Sequence, residues 1–399
     1  MRFPPCACKL CPGAFQGSSM RVLHLYSGNL FGGVERMLVT LQRSRALTPE
    51  IDQRFGLCFA GRLSRELADA DGRVEMLGAA RVSRPWTLWQ ARRRLAQSLR
   101  VDRPEIAIAH AWWPCGLFGP VVKAAKIPLV LFVHDVPDAG HWLERWARHS
   151  KPDAMIANSD YTLGQSRSLF PHTPARICHP PVLPAKASDR AAVRTELGLT
   201  DKQVAIAITC RFERWKGHAA LIDALGLLKD QPNWTCLIAG SAQRPQEIAY
   251  SDELKATADR LGICNRLKFL EECGDVPRLL SGVDIHCQPN TAGEAFGIAF
   301  VEAMNAGLPV VTSDIGGGAE VVGDAGVLVP PNDAPQLAAA LRRLILNADL
   351  RRKLGDCARV RAESLFSLTA SLQRWQAALS DVLQARGAEP LHDGDMVPA

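Results

Sequence analysis

Short apolar runs of strand length alternate with stretches of helical periodicity along nearly the whole of this 399-residue chain, and few folds accommodate that pattern. Strands are expected at 20–27, 54–60, 74–77, 105–111, 129–135, 154–159 and 176–179, with helices between them at 34–47, 86–100, 116–125 and 141–150. A break at 179–188 carries Pro180, Pro181 and Pro184 and no periodicity, which reads as an interdomain linker. The alternation then restarts, with strands expected at 204–209, 235–239, 267–270, 284–288, 309–313 and 326–329 and helices at 218–229, 252–261, 296–306 and 335–346. From 348 to 386 the chain reads as continuous helix. Apolar strands alternating with helices imply parallel sheets covered on both faces. The expectation is α/β: two doubly wound, Rossmann-like domains facing each other across a central cleft, where ligands of such sheets bind. The division is a tail at 1–19, a first domain at 20–185, a second domain at 186–365, a helix at 366–386 packing back on the first domain, and a tail at 387–399.

Hydrophobic residues make up 47% of the chain, enough for a sizeable core, which excludes disorder as the main state. No run approaches the length of a membrane span. The first residues lack the apolar stretch of a signal peptide, so the chain is expected in the cytoplasm. Cys58, Cys178, Cys210, Cys236 and Cys287 sit in or beside apolar runs, as free buried thiols do. Cys6, Cys8 and Cys11 lack a fourth ligand at metal-site spacing and read as part of a tail. Charge is uneven: residues 1–185 hold 24 Lys and Arg against 14 Asp and Glu, and the remainder 23 against 27. A basic half can face a phosphorylated substrate, anionic lipid or nucleic acid.

Three segments can carry chemistry. In the first, Glu294 and Glu302 stand eight apart, with Ala295, Phe296, Gly297 and Ile298 opening a helix between them. A helix starting near Ala295 leaves Glu294 in the loop at its mouth and Glu302 about two turns inside. The free amides and dipole of that mouth favour an anion such as a diphosphate, and Gly297 permits close backbone approach. In the second, Arg211 and Lys216-Gly217 lie in the turn after a strand, where Arg can clamp phosphate oxygens by its fork and Lys as a point charge. The third is the glycine-rich turn at Ser27–Glu35, whose Gly32 and Gly33 can bring amides against phosphates. It matches neither the dinucleotide fingerprint nor a P-loop.

Together, Gly32-Gly33-x-Glu35, Arg211, Lys216-Gly217, Glu294-x7-Glu302, the run Ala303–Val311, Gly316-Gly317 and Glu320 resemble glycosyltransferase family 4 in order and spacing over roughly 20–380. The resemblance implies the GT-B fold and transfer of a sugar from a nucleoside diphosphate sugar with retention of configuration. It implies that Arg211 and Lys216 neutralise the diphosphate and that Gly32 and Gly33 donate backbone N–H groups to it. Glu302 would take the ribose hydroxyls and Glu294 those of the donor sugar, while backbone at Phe296, Gly297 and Ile298 lines the sugar and phosphate. His134, at the end of a strand, matches the position from which family members place a histidine near the donor sugar.

His110 also ends a strand and is expected on the acceptor pocket, as are Asp135 and Ser159 in the cleft. No metal and no cofactor is expected: Asp69-x-Asp71 and Asp393-x-Asp395 do not follow strands, and the cations take the metal's place. The segment 81–103 holds seven arginines, one acid, Trp86 and Trp89, the make-up of a helix that can lie on an anionic membrane. That would place the protein at the inner face of the membrane, acting on a lipid-linked acceptor in polysaccharide or glycolipid synthesis. No nucleic-acid module is visible. A nucleotide-sugar epimerase on the same fold and a non-catalytic binding protein stay open as alternatives.

Overall fold

The computed structural model describes residues 19–28, 31–138, 140–184, 188–242, 244–270 and 274–387. The expectations for Cys6, Cys8, Cys11, Asp393 and Asp395 lie outside the described residues.

Thirteen strands form two wholly parallel sheets, among the described residues. In the first, β1 (Met20–Tyr26), β2 (Ile51–Leu57), β3 (Arg73–Met76), β4 (Ile106–His110), β5 (Leu129–Val133), β6 (Ala154–Ala157) and β7 (Ala175–Ile177) lie in the order β3-β2-β1-β4-β5-β6-β7. In the second, β8 (Val204–Thr209), β9 (Trp234–Ala239), β10 (Leu267–Leu270), β11 (Ile285–Gln288), β12 (Val310–Ser313) and β13 (Val327–Val329) lie in the order β10-β9-β8-β11-β12-β13. The strand order reverses between β1 and β4 and again between β8 and β11. Connections on the two sides of each reversal leave in opposite directions, which opens a crevice beyond the carboxyl ends of the central strands.

Burial on both faces explains the near-continuous apolar strands. β4, β5 and β8 are buried along their whole length. Leu23, Leu25, Ala107 and Leu131 pack on one side of the first sheet, and Val22, Ile106, Ile108 and Val130 on the other. The second sheet divides in the same way, with Ile206 and Ile208 facing one layer and Ala205 and Ala207 the other.

Strand β2 begins three residues before the expected 54–60. The polar Asp52 and Gln53 belong to it because Asp52 is paired to Arg73 and the buried Gln53 is bonded to His24. Cys58 and Phe59 instead turn over Ser27, donating their N–H groups to its carbonyl at 3.1 and 2.9 Å.

The expected continuous helix from 348 to 386 is two helices, Ala348–Phe366 and Leu368–Gly387, separated by the extended Ser367 (φ −57°, ψ 147°). The reason is that the chain changes domain there. Ala358, Ala362 and Phe366 pack in the second domain, whereas Leu372, Trp375, Ala378 and Leu379 join the core of the first. Trp375 stacks on His24 and Phe132 with centroids 5.9 and 5.7 Å apart, and Arg176 bonds Asp381 at 3.0 Å.

Candidate active site

The two crevices meet in one cleft of about 910 Å³, lined from both domains. This is within the range of small-molecule sites. Its first wall is the turn after β1. Gly32 caps the helix Gly33–Arg43, and Glu35 fixes the turn: its Oε2 accepts from the Gly32 N–H at 2.8 Å and its Oε1 from the Tyr26 hydroxyl at 2.8 Å. Burial, and then the neighbouring Glu35, push the Tyr26 hydroxyl well above its usual pKa, and burial raises Glu35. Gly32, Gly33 and Val34 line the cleft at this helix start; the Gly32 N–H, expected to donate to a phosphate, is taken by Glu35, which leaves that role to the N–H groups that follow it in the first turn.

The opposite wall is the turn after β8. Arg211 is held by Glu213 at 2.6 Å and by Glu247 at 3.6 Å. Lys216 bonds Glu294 at 2.5 Å and lies 3.9 Å from the centre of the Trp215 ring. The turn can be this tight because Gly217 adopts φ +83°; a Cβ there would stand 1.8 Å from the carbonyl oxygen of Pro289. A Cβ on Gly32 would meet Arg211 Nε at 3.9 Å, so the glycine turn of one domain and the cation of the other face each other directly.

The floor is formed by the segment before the helix Ile298–Asn305, with Glu294, Phe296, Gly297 and Ile298 on the lining. The helix starts at Ile298, two residues after the expected Phe296, because Gly297 caps it with φ +91° and Glu294 is bridged to Gly316. Glu302 therefore sits about one turn inside rather than two. It does not line the cleft: both its oxygens are engaged by Arg36 of the first domain. Burial raises the Glu302 carboxyl, opposed by Arg36. Ser159, expected in the cleft, instead joins the domains: its hydroxyl donates to the Ala295 carbonyl at 2.6 Å, beside Thr162 at 3.0 Å.

His134 and Asp135 project from the carboxyl end of β5 into the cleft. Enclosure, then Glu294 and Glu213, raise the Asp135 carboxyl. Burial lowers His134 to about 3, so its imidazole is neutral. His110 corrects the expectation of an acceptor-pocket residue. It is 0% exposed and lies behind His134, bonded to it at 2.9 Å, because it still belongs to the strand and its ring packs on Phe132. Sequence reasoning passed over Arg36, Tyr26, Gln288 and Arg62, all but Tyr26 on the cleft lining. Arg36 directly follows the quoted Glu35, and that adjacency was its one signal. Among the described residues, no group of three or more His, Cys, Asp or Glu is arranged to hold a metal.

The sequence profile described as Glycosyl transferases group 1 matches residues 189–361, and that described as Glycosyltransferase Family 4 matches residues 31–182. The chain is 32% identical over 247 residues to a D-inositol 3-phosphate glycosyltransferase of Mycobacterium marinum, covering 59% of this chain and 52% of that protein. It is 29% identical over 249 residues to a GDP-mannose-dependent monoacylated alpha-(1-6)-phosphatidylinositol monomannoside mannosyltransferase of Corynebacterium glutamicum, covering 58% and 62%. The chain thus spans about half the length of the curated relatives it matches. A crystal structure of HepE from Anabaena in complex with UDP-glucose superposes with a TM-score of 0.81 at 25% identity, covering 91% of this chain and 100% of that one.

Proposed function

The chain belongs to glycosyltransferase family 4, and from that premise we propose that it moves a sugar from a nucleoside diphosphate sugar to an acceptor hydroxyl, with retention of configuration and without a metal. The observation that carries this reading is the opposition, across one cleft, of Arg211 and Lys216 to the open helix start that follows Gly32. Negative charge grows on a departing diphosphate, and fixed cations and amides aimed at it lower the barrier. Arg211 and Lys216 are already oriented by Glu213, Glu247 and Glu294, so little reorganisation is needed.

In this reading the diphosphate lies between those cations and the glycine turn, with backbone at Phe296, Gly297 and Ile298 alongside. Glu294 accepts hydrogen bonds from the donor sugar. Glu302 takes the ribose hydroxyls once Arg36 yields its oxygens. The bond from the anomeric carbon to the diphosphate breaks as the acceptor oxygen bonds the same face, and a diphosphate oxygen takes the acceptor's proton. HepE, crystallised with UDP-glucose, supports a nucleotide-sugar donor.

The acceptor is proposed to be lipid-linked and reached at an anionic membrane surface. Trp86 and Trp89 are 59% and 60% exposed on the helix Pro85–Val101, and Trp142 is 45% exposed on the helix Trp142–Arg148. The two helices are joined by Arg92, whose guanidinium lies 5.9 Å from the Trp146 ring. The phosphatidylinositol-based substrate in the Corynebacterium relative's name supports the same reading. No described helix is long and apolar enough to cross a membrane.

The test is a panel of UDP-, GDP- and ADP-sugars with purified protein, following thermal shift and free nucleoside diphosphate, with and without a membrane extract. One selective donor is expected, with release that needs the extract. Lys216→Ala should lower turnover by about 10²–10³-fold. Sugar isomerisation without acceptor would instead identify an epimerase, and binding without turnover a non-catalytic protein.

A further inference from the structure

Four polar side chains cross the first sheet in a diagonal file. In the parallel register Gln53 pairs with Val22, His24 with Ile108, and His110 with Phe132. Stepping two residues toward the carboxyl edge at each crossing leads from Gln53 on β2 to His24 on β1, His110 on β4 and His134 after β5. A step of two keeps every side chain on one face. The contacts follow the file: Gln53 Oε1 to His24 Nε2 at 3.1 Å, His24 Nδ1 to His110 Nε2 at 2.9 Å, and His110 Nδ1 to His134 Nε2 at 2.9 Å. Both nitrogens of the two inner rings are thereby used.

Such a file has a direction. An amide oxygen only accepts, so His24 Nε2 carries the proton. A neutral imidazole has a single N–H, so His24 Nδ1 accepts from His110 Nε2–H. His110 Nδ1 then accepts from His134 Nε2–H. Neutrality follows from the surroundings: Phe55 and Trp375 stack on His24, Phe132 stacks on His134, and among the described residues no carboxylate bonds any of the three rings. Burial accordingly lowers His24 to about 3 and His110 well below its usual value.

We infer that Gln53, His24 and His110 are positioning residues that hold His134 in the Nε2–H tautomer, so that its Nδ1 faces the cleft as a bare lone pair and takes a sugar hydroxyl as donor. The assignment of the hydroxyl to a sugar rests on the proposed transfer reaction; the tautomer does not. A site with a fixed acceptor discriminates between sugars, because a carboxylate at that position is repelled and a deoxy position leaves the nitrogen unpaired.

The experiment is ¹⁵N spectroscopy of histidine-labelled full-length protein, first without ligand and then with the selected nucleotide sugar. His134 is expected with Nε2 protonated and Nδ1 unprotonated, and the sugar should shift Nδ1 in the direction of an accepted hydrogen bond. His110→Leu should release the tautomer and His110→Asn, whose amide oxygen can replace Nδ1, should restore it. Gln53→Leu, at the far end of the file, repeats the test should His110→Leu fail to fold. A protonated Nδ1 in the parent protein, or a tautomer indifferent to both leucine variants, would overturn the inference. In a deoxy-sugar donor series, one position should cost about tenfold in affinity, a loss absent in His134→Phe; a flat series would overturn the hydroxyl assignment. A correct tautomer that no nucleotide sugar moves would sink the transferase reading while the file stood.

Discussion

The Arg36 guanidinium forks onto the Glu302 carboxylate, Nη1 to Oε2 at 3.1 Å and Nη2 to Oε1, tying the first helix of one domain to the floor helix of the other. The Glu302 side chain is only 5% exposed, and Arg36 is the partner that offsets its burial. Arg36→Met is therefore expected to cost about 3 kcal/mol of stability, since it strands a buried carboxylate. Glu302→Gln in that background should recover part of the loss. Urea denaturation of the four proteins of the double-mutant cycle measures the coupling, and simple additivity would count against it.

Gly217 gives a second expectation. Its φ of +83° and the 1.8 Å approach of Pro289 exclude a Cβ without moving backbone. Gly217→Ala should cost well over 1 kcal/mol. Because Lys216 is the adjacent residue, turnover should fall together with the midpoint of unfolding. An alanine variant as stable and active as the parent would contradict the geometry.

Stability should depend on pH through the buried histidines. His24, His134 and His286 have folded pKa values near 3 against an ordinary value of 6.5, all through burial. The unfolded chain takes up these protons first as pH falls. Each histidine thus contributes stability that is present above about pH 6.5 and is lost toward pH 3, at roughly 1.4 kcal/mol per pH unit. His286 is remote from the histidine file, bonding Thr209 at 3.1 Å in the second domain. His286→Gln should flatten the acid limb of a stability–pH curve by about that slope, and an unchanged limb would refute the assignment.

The exposed tryptophans provide a test of the proposed membrane face. Trp86→Ser and Trp89→Ser should each weaken binding to phosphatidylglycerol vesicles by about tenfold. Binding of the parent should fall as salt screens the neighbouring arginines. Cosedimentation reads both effects. Vesicle binding that ignores tryptophan and salt alike would remove the membrane reading.

Strand positions were legible where buried parallel strands are apolar from end to end, as at Leu129–Val133. Motif residues were legible where glycine and charge coincide in a turn, as at Lys216-Gly217. What escaped depends on partners distant in sequence. Arg36 gains its meaning 266 residues away at Glu302. Gln53 fell outside the expected strand, and it is His24 from the neighbouring strand that satisfies it there. The helix Gly316–Val322 opens with three glycines and has little helical propensity of its own; tertiary packing of Val321 and Val322 holds it. His110 was visible as a strand-end histidine, but no spacing reveals that the layer in front of it belongs to the neighbouring strand.

The return of the chain across Ser367 has a consequence for synthesis. The seat filled by Leu372, Trp375, Ala378 and Leu379 belongs to a sheet whose seven strands have all been translated by Ile177. On the ribosome that sheet must wait, with one flank uncovered, while the whole second domain emerges. The nascent first half is therefore most exposed to misassociation during this interval, and a fragment cut at the linker would keep that apolar flank open permanently.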